Sequence, residues 1–156
     1  MNRNRKILLA ICALALIGAL VAAYDFTSRM LGIPLFCPFA GNGCDIVQNS
    51  PYAVILGIPL SFLGILGFGA YVLAVYLGIR STLGAHWHLY ALATWSLFQI
   101  ASMAYFSYLE LTVIHAVCSI CVFVLALHVA IAVMIAYAIR TTQGDARVVV
   151  SQVESA

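Results

Sequence analysis

Five cysteines carry the concentrated chemistry of this chain, and four of them fall into two pairs. Cys118-Ser119-Ile120-Cys121 is a C-x-x-C at the head of a long apolar run. On the first turn of a helix it meets unpaired backbone N–H groups and the positive end of the helix dipole, both of which stabilise negative charge. Such placement lowers a thiol pKa from about 8.5 to as little as about 3.5, which makes the sulfur reactive and a good leaving group. Residues i and i+3 share a helix face, so both sulfurs can approach one another and one adjacent ligand. Cys37 and Cys44 have Gly41 and Gly43 between them, so their segment can bend to close a disulfide and to move. A thiol–disulfide relay, a static loop staple and a zinc site built from thiolates are all compatible with these types and spacings. A C-x-x-C at a helix start with no second tight C-x-x-C knuckle suits redox work better than zinc, so no metal is expected. Cys12, alone within an apolar segment, reads as a small buried hydrophobe.

The elements that hold these thiols are legible from composition. Of 156 residues, 65% are apolar and 8% charged, against about 45–50% and 25% in a soluble domain. That excludes a water-soluble globular protein and a disordered one. A formal charge of +2, dispersed along the chain, provides no basic stripe for nucleic acid. A helix needs about 20 apolar residues to cross a bilayer, and four charge-free stretches qualify, at 7–24, 53–79, 87–108 and 117–139. Unpaired backbone cannot face lipid, so the expected fold is an all-α integral membrane protein, a single domain over 1–156 built as a four-transmembrane-helix bundle. The first stretch also imitates a secretory signal, with Arg3, Arg5 and Lys6 ahead of it and Val21-Ala22-Ala23 near its end. Its length exceeds the usual signal core of about 7–15 residues, so it is read as a helix.

Positive residues in short loops set orientation. Arg3, Arg5, Lys6, Arg80, Arg140 and Arg147 fall on one side, and Arg29 alone on the other. Both termini, including a tail over 140–156, are therefore expected in the cytoplasm, with loops 25–52 and 109–116 facing outward. The long loop carries Pro34, Pro38, Gly41-Asn42-Gly43 and Pro51 among apolar Leu35, Phe36 and Phe39. It should fold over the bundle mouth, with Asp45 capping a short helical turn before Asn49. All four paired cysteines then lie at the outer boundary, where thiols stay oxidised.

Cys37-Pro38, Gly41-Asn42-Gly43-Cys44-Asp45, Ser50, Tyr52-Ala53, Gly57-Ile58-Pro59, Ser61 and Gly64, followed far downstream by Cys118-Ser119-Ile120-Cys121, resemble the vitamin K epoxide reductase (VKOR) family, especially its bacterial members. The likeness spans nearly all four helices. The unrelated DsbB family does similar chemistry but has its C-x-x-C near the first outer loop, the reverse of the order here. The resemblance implies four helices around a quinone (menaquinone, ubiquinone or phylloquinone), with the outer loop capping the quinone pocket. It implies a shuttle pair, Cys37 and Cys44, and an active-site pair, Cys118 and Cys121. Cys121 would face the quinone, and Cys118 would be attacked from the loop by Cys44. Ser50 would be the loop serine that hydrogen-bonds near the site. The implied function is reoxidation of a thioredoxin-fold partner at the expense of membrane quinone, supporting disulfide bond formation in a bacterial inner membrane. Because the chain ends without a fused thioredoxin-like domain, a separate thioredoxin-like or DsbA-like periplasmic protein is expected beside membrane lipid, and no nucleic acid. Alternatives are a vitamin K epoxide or quinone reductase, and a non-enzymatic protein stapled by disulfides or binding zinc. Leu125 stands where vertebrate members have a tyrosine, a departure that counts against vertebrate-like epoxide handling and inhibitor sensitivity.

The expected quinone contacts are Cys121, Ser50, Ser61, Phe62 and Leu125. Phe62, Phe68, Tyr71 and Tyr76 have the bulk to line a ring site, although packing explains most of them. Gly57, Gly64 and Gly67 include close-packing spacings. Quinone reduction consumes protons, and Glu110 and His115 sit in the short loop ahead of Cys118. His128 lies about 20° off the Cys121 face and about 10 Å deeper. For His128 and Gln99, function and an interhelical hydrogen bond are both open. His86, Trp87 and His88 belong to the cytoplasmic end.

Overall fold

The apolar stretches form helices whose ends are set by backbone conformation, not by hydropathy. The computed structural model describes residues 3–39, 41–80 and 87–154, with side chains for 5–39, 41–80 and 87–143. His86 and the side chains of Arg3 and Arg147 lie outside the described residues.

Helix α1 (Arg3–Leu31) passes Tyr24 and runs to Leu31. Asp25, Ser28 and Arg29 are therefore helical, although the sequence reading assigned them to the outer loop. No breaker interrupts the chain before Gly32, whose φ of 65° ends the helix. Gly32 N–H donates to Arg29 C=O at 3.3 Å and Ile33 N–H to Ser28 C=O at 3.0 Å, the paired bonds of a left-handed glycine cap. A short α2 (Gly43–Gln48) follows. Asp45 does not cap it; its Oδ1 instead accepts Leu35 N–H at 2.9 Å and ties the extended segment before α2 to the helix.

The second apolar stretch contains more than a helix. Pro51–Ala53 is a 3₁₀ turn, and β1 (Val54–Ile55) pairs antiparallel with β2 (Ile58–Pro59). Leu56 and Gly57 have φ of 52° and 83°, the two positive values a tight two-residue hairpin turn requires. Helix α3 (Leu60–Arg80) starts only after Pro59. Helix α4 (Trp87–Leu109) widens into a π turn over Glu110–Ile114, and α5 (Ser119–Glu154) continues well past Ile139. Glu110 is thus the first residue of a helical turn and not part of a free loop.

Among the described residues four helices are long and apolar enough to cross a membrane, and the chain is an all-α membrane bundle apart from its small hairpin. The long helices alternate in direction. Cys37 meets Ser119 at one end, while at the other Gln143 Nε2 donates to Tyr90 Oη at 3.0 Å. Residues 11, 15, 18, 22, 25 and 28 of α1 are buried, as are 124, 128, 131, 135 and 138 of α5. These steps of four and three form a seam of about 3.5-residue period, suited to closely aligned helices. Ile11, Ala15, Phe68, Tyr71, Leu92, Ile131 and Ile135 meet in the core, while Leu20, Leu73, Leu97 and Val133 are exposed on the outside, as a lipid-facing surface requires.

Helices in lipid associate through close packing, because tails are as apolar as leucine. Gly18 lets the Phe68 ring lie directly on α1: a Cβ there would be 2.3 Å from ring carbons. Gly18→Ala should therefore destabilise the bundle by roughly 1–3 kcal/mol through overpacking, read as a lower thermal midpoint in detergent. Gly69→Ala, where a Cβ meets nothing within 4 Å, is the control and should leave that midpoint unchanged.

Candidate active site

The first turn of α5 builds the centre of the site. Cys118 is the residue before the helix, and its C=O accepts Val122 N–H at 3.1 Å. Its Sγ accepts the N–H of Cys121 at 3.3 Å. The sulfur thus serves as an N-cap, the position where serine or aspartate oxygens satisfy a free N–H. An anionic sulfur accepts such a bond better than a neutral thiol. The Cys121 thiol and then its N–H accordingly hold the Cys118 pKa below the ordinary thiol range, against burial and the nearby Glu110 and Asp25 carboxyls, which push it up.

Glu110 closes the other side. It is 4% exposed, and its Oε2 accepts Cys118 N–H at 3.2 Å. Its own carbonyl accepts the N–H groups of His115 and Ala116, turning the chain from the π turn into α5. His115 makes that turn at φ 54°, with its side chain exposed. The donor atoms of Glu110, Cys118 and Cys121 all lie within 4.8 Å of one another. These are three of the four protein ligands that a closed structural zinc site takes, and the Cys37 and Cys44 sulfurs are bonded to each other.

Cys37 and Cys44 form a disulfide, whereas Cys12, Cys118 and Cys121 are free thiols. Cys44 and Cys118 are both fully buried in one small cluster with Leu35 and Val47, against which Cys37, Ile120 and Cys121 pack. Cys37 Sγ is 3.6 Å from Ser119 Oγ, whose hydroxyl donates to Pro38 C=O. The loop segment is held down from α1: Gln48 Nε2 donates to Asp25 Oδ2 at 2.5 Å, Arg29 donates to Gln48 C=O, and Phe36 N–H donates to Tyr24 Oη at 3.2 Å. One closed disulfide thus sits directly over one open dithiol. Cys12 packs against the bundle core, away from both.

Beneath the dithiol lie two cavities. A chamber of about 30 Å³, room for a water or two, is lined by Cys121, Glu110, Ser50, Leu60 and Phe106 among others. Next to it, between α3, α4 and α5, a cavity of about 380 Å³ also has Leu60 and Phe106 in its wall. This larger cavity is apolar except for Ser102, Gln99 and His128. His128 Nδ1 is 2.8 Å from Val124 C=O, which can only accept, so the ring proton belongs on Nδ1. Nε2 then accepts from Gln99 Nε2 at 3.4 Å. Gln99 occupies the space that a side chain at Gly67 would fill, its Nε2 only 2.1 Å from the Cβ position.

The expected quinone contacts divide accordingly. Cys121 and Ser50 line the small chamber, with the Ser50 hydroxyl donating to Val47 C=O at 2.7 Å. Ser61, Phe62 and Leu125 line neither cavity. Ser61 is buried, and Phe62 packs on Phe26 of α1 at 5.7 Å between ring centroids. Phe68 and Tyr71 are core residues next to His128, and Tyr76 is exposed beneath Arg80. Sequence reasoning did not single out Leu60, Phe106 or Asp25 for the site. None of the three had a sequence signal, since the seam that Asp25 continues emerges only from how α1 packs.

The profile described as "Vitamin K epoxide reductase family" matches residues 8–137. A thiol-disulfide oxidoreductase of Arabidopsis thaliana is 40% identical over 47 residues, a stretch that covers 30% of this chain and 12% of the plant protein.

Because Cys118 is the capping sulfur, its thiolate should form below the ordinary thiol pKa of about 8.5. The check is an ultraviolet thiolate titration of the reduced protein, taken as the difference between native and Cys118→Ala. A difference curve with its midpoint at or above that value would remove the capping argument.

Proposed function

The chain belongs to the vitamin K epoxide reductase family, and we propose that it is a membrane dithiol:quinone oxidoreductase. It takes two electrons from a protein dithiol and delivers them to a membrane quinone through its two cysteine pairs. The observation that carries this reading is the Cys37–Cys44 disulfide packed in one buried cluster with Cys118 of an open dithiol.

A partner thiolate attacks the Cys37–Cys44 disulfide, and resolution leaves the partner oxidised and the loop pair reduced. Cys44 then attacks Cys118 of the Cys118–Cys121 disulfide, and Cys121 leaves and takes up the proton that the attacking thiol gave up. Cys37 attacks Cys44 in turn, closing the loop disulfide and releasing Cys118. A sulfur whose thiolate is stabilised by a helix-capping N–H is a good leaving group for that step. The observed pairing, loop closed and C-x-x-C open, corresponds to the end of this transfer. The outer face offers the partner an apolar groove of about 760 Å³ beside the loop, lined by Phe39, Ile46, His115, Ser119 and Phe123.

The cavity between α3, α4 and α5 suits a quinone ring: its volume falls within the roughly 300–1,000 Å³ of ligand sites, and its wall is apolar with a few polar groups. Gln99 would hold a ring oxygen through its second amide N–H, and Cys121 would face the ring once Leu60 and Phe106 part. A bound quinone supplies the sink for two electrons and two protons. The protein supplies the dry site, the fixed Gln99 amide and the positioned sulfur. We place the protein in a bacterial cell membrane with both termini in the cytoplasm and the cysteine end outside. Arg5, Lys6, Arg80 and Arg140 at the opposite end support that orientation. At the cysteine end Arg29 is engaged by Gln48.

Quinone reduction by the purified protein in detergent, driven by a small dithiol or by a reduced thioredoxin-fold protein, tests the relay. Cys121→Ala should abolish turnover with both donors. Cys37→Ala and Cys44→Ala should lose the protein donor while keeping most of the small-dithiol rate; equal loss with both donors would mean a static staple. Gly67→Ala should drive Gln99 into the cavity and raise KM for quinone about tenfold, equivalent to ~1.4 kcal/mol, with kcat less affected. An unchanged KM would remove the ring from that cavity.

A further inference from the structure

We propose that Glu110 is a catalytic residue of this site, taking the proton from the Cys121 thiol and passing it to a quinone oxygen. The inference rests on the quinone-dependent reading above and adds the proton route to its electron route. Closing the Cys118–Cys121 disulfide breaks two S–H bonds, forms one S–S bond and releases two electrons and two protons. Both electrons go to the quinone, whose two oxygens become hydroxyls by taking up two protons. Where Cys118 is already a thiolate, its proton has gone to water and one is drawn back from water. The Cys121 proton moves first to the Glu110 carboxylate and from there to the quinone.

Three observations support that assignment. The Cys121 sulfur, the Cys118 sulfur and a Glu110 carboxylate oxygen all lie within 4.8 Å of one another, close enough for the thiol to reach Glu110 directly or through one water. Glu110 shares the small chamber with Cys121, and that chamber has room for a bridging water. The residue is aimed inward by the π turn it begins, a distortion often found at functional sites. Other charged groups are less well placed. Asp25 on α1 is tied to Gln48 and acts on Cys118 through its charge, Arg29 is engaged by Gln48, and His115 is exposed on the outer face.

The simpler role for Glu110 is structural, as acceptor for the Cys118 N–H. That role needs only a carbonyl oxygen, and burying a carboxylate for it is costly. Glu110→Gln separates the two, because the amide keeps the acceptor oxygen and cannot take up and release a proton. Turnover should fall about 100-fold, the low end of acid–base contributions, with an enlarged solvent deuterium effect and an unchanged thermal midpoint. Glu110→Asp should recover part of the rate. In the reduced, quinone-free protein, Glu110→Gln should also shift the Cys118 thiolate titration to lower pH, because a like charge is gone.

Turnover of Glu110→Gln within about threefold of native would overturn the proposal. So would a loss of turnover matched by a drop in thermal midpoint and not relieved by Glu110→Asp. Cys121→Ala, run alongside, tells the two readings apart. If it is inactive while Glu110→Gln turns over normally, only the proton route fails. If Cys121→Ala itself turns over, the quinone relay fails and takes the proton route with it.

Discussion

The cysteine end of this protein depends on how the first N–H groups of α5 find acceptors at the edge of an apolar layer. A helix start leaves such groups unpaired, and lipid offers nothing to pair them. Cys118 Sγ takes the Cys121 N–H, and Glu110 takes the Cys118 N–H. Capping and thiol activation are therefore one interaction, since the bond that completes the helix also stabilises the thiolate. The same constraint recruits Glu110 from α4, and through the turn at His115 and Ala116 it fixes how α4 hands over to α5.

Several polar groups elsewhere in the bundle also find a partner on another element. Asp25 meets Gln48 of α2, which also accepts from Arg29, and this anchors the loop disulfide above the dithiol. Trp95 Nε1 donates to Gly67 C=O at 3.1 Å, and Gln99 reaches His128. Small residues make these meetings short. Gly67 and Gly18 each leave room for a side chain from a neighbouring helix, Gln99 and Phe68 respectively. The polar groups in the wall of the cavity beneath Cys121 thus have their contacts already fixed.

The spans and the thiol pairs were legible because their signals are local. Charge-free length marks a span, and C-x-x-C ahead of an apolar run marks reactive sulfurs at a helix start. Helix ends were less legible. The stretch 53–79 is apolar throughout, yet its first residues turn through Leu56 and Gly57 before α3 begins. Asp25 looked like the start of a loop because a charge ends an apolar run, but the helix continues to the Gly32 cap. Phe62 suggested a ring contact by its bulk, and its ring packs on Phe26 of α1, a pairing that its position in the sequence did not announce.

The sequence by itself determined the membrane class, the number of spans, the two thiol pairs and the order that identifies the family, because apolar length and short-range spacing suffice for each. The tertiary structure decided that Glu110 meets Cys118 and Cys121, that Gln99 pairs with His128, and that Leu60 and Phe106 stand between the two cavities. The physical reason lies in the rotation of each helix about its own axis. A helix apolar all round has no polar face to announce which side turns inward, so its inward residues are settled only by packing against its neighbours.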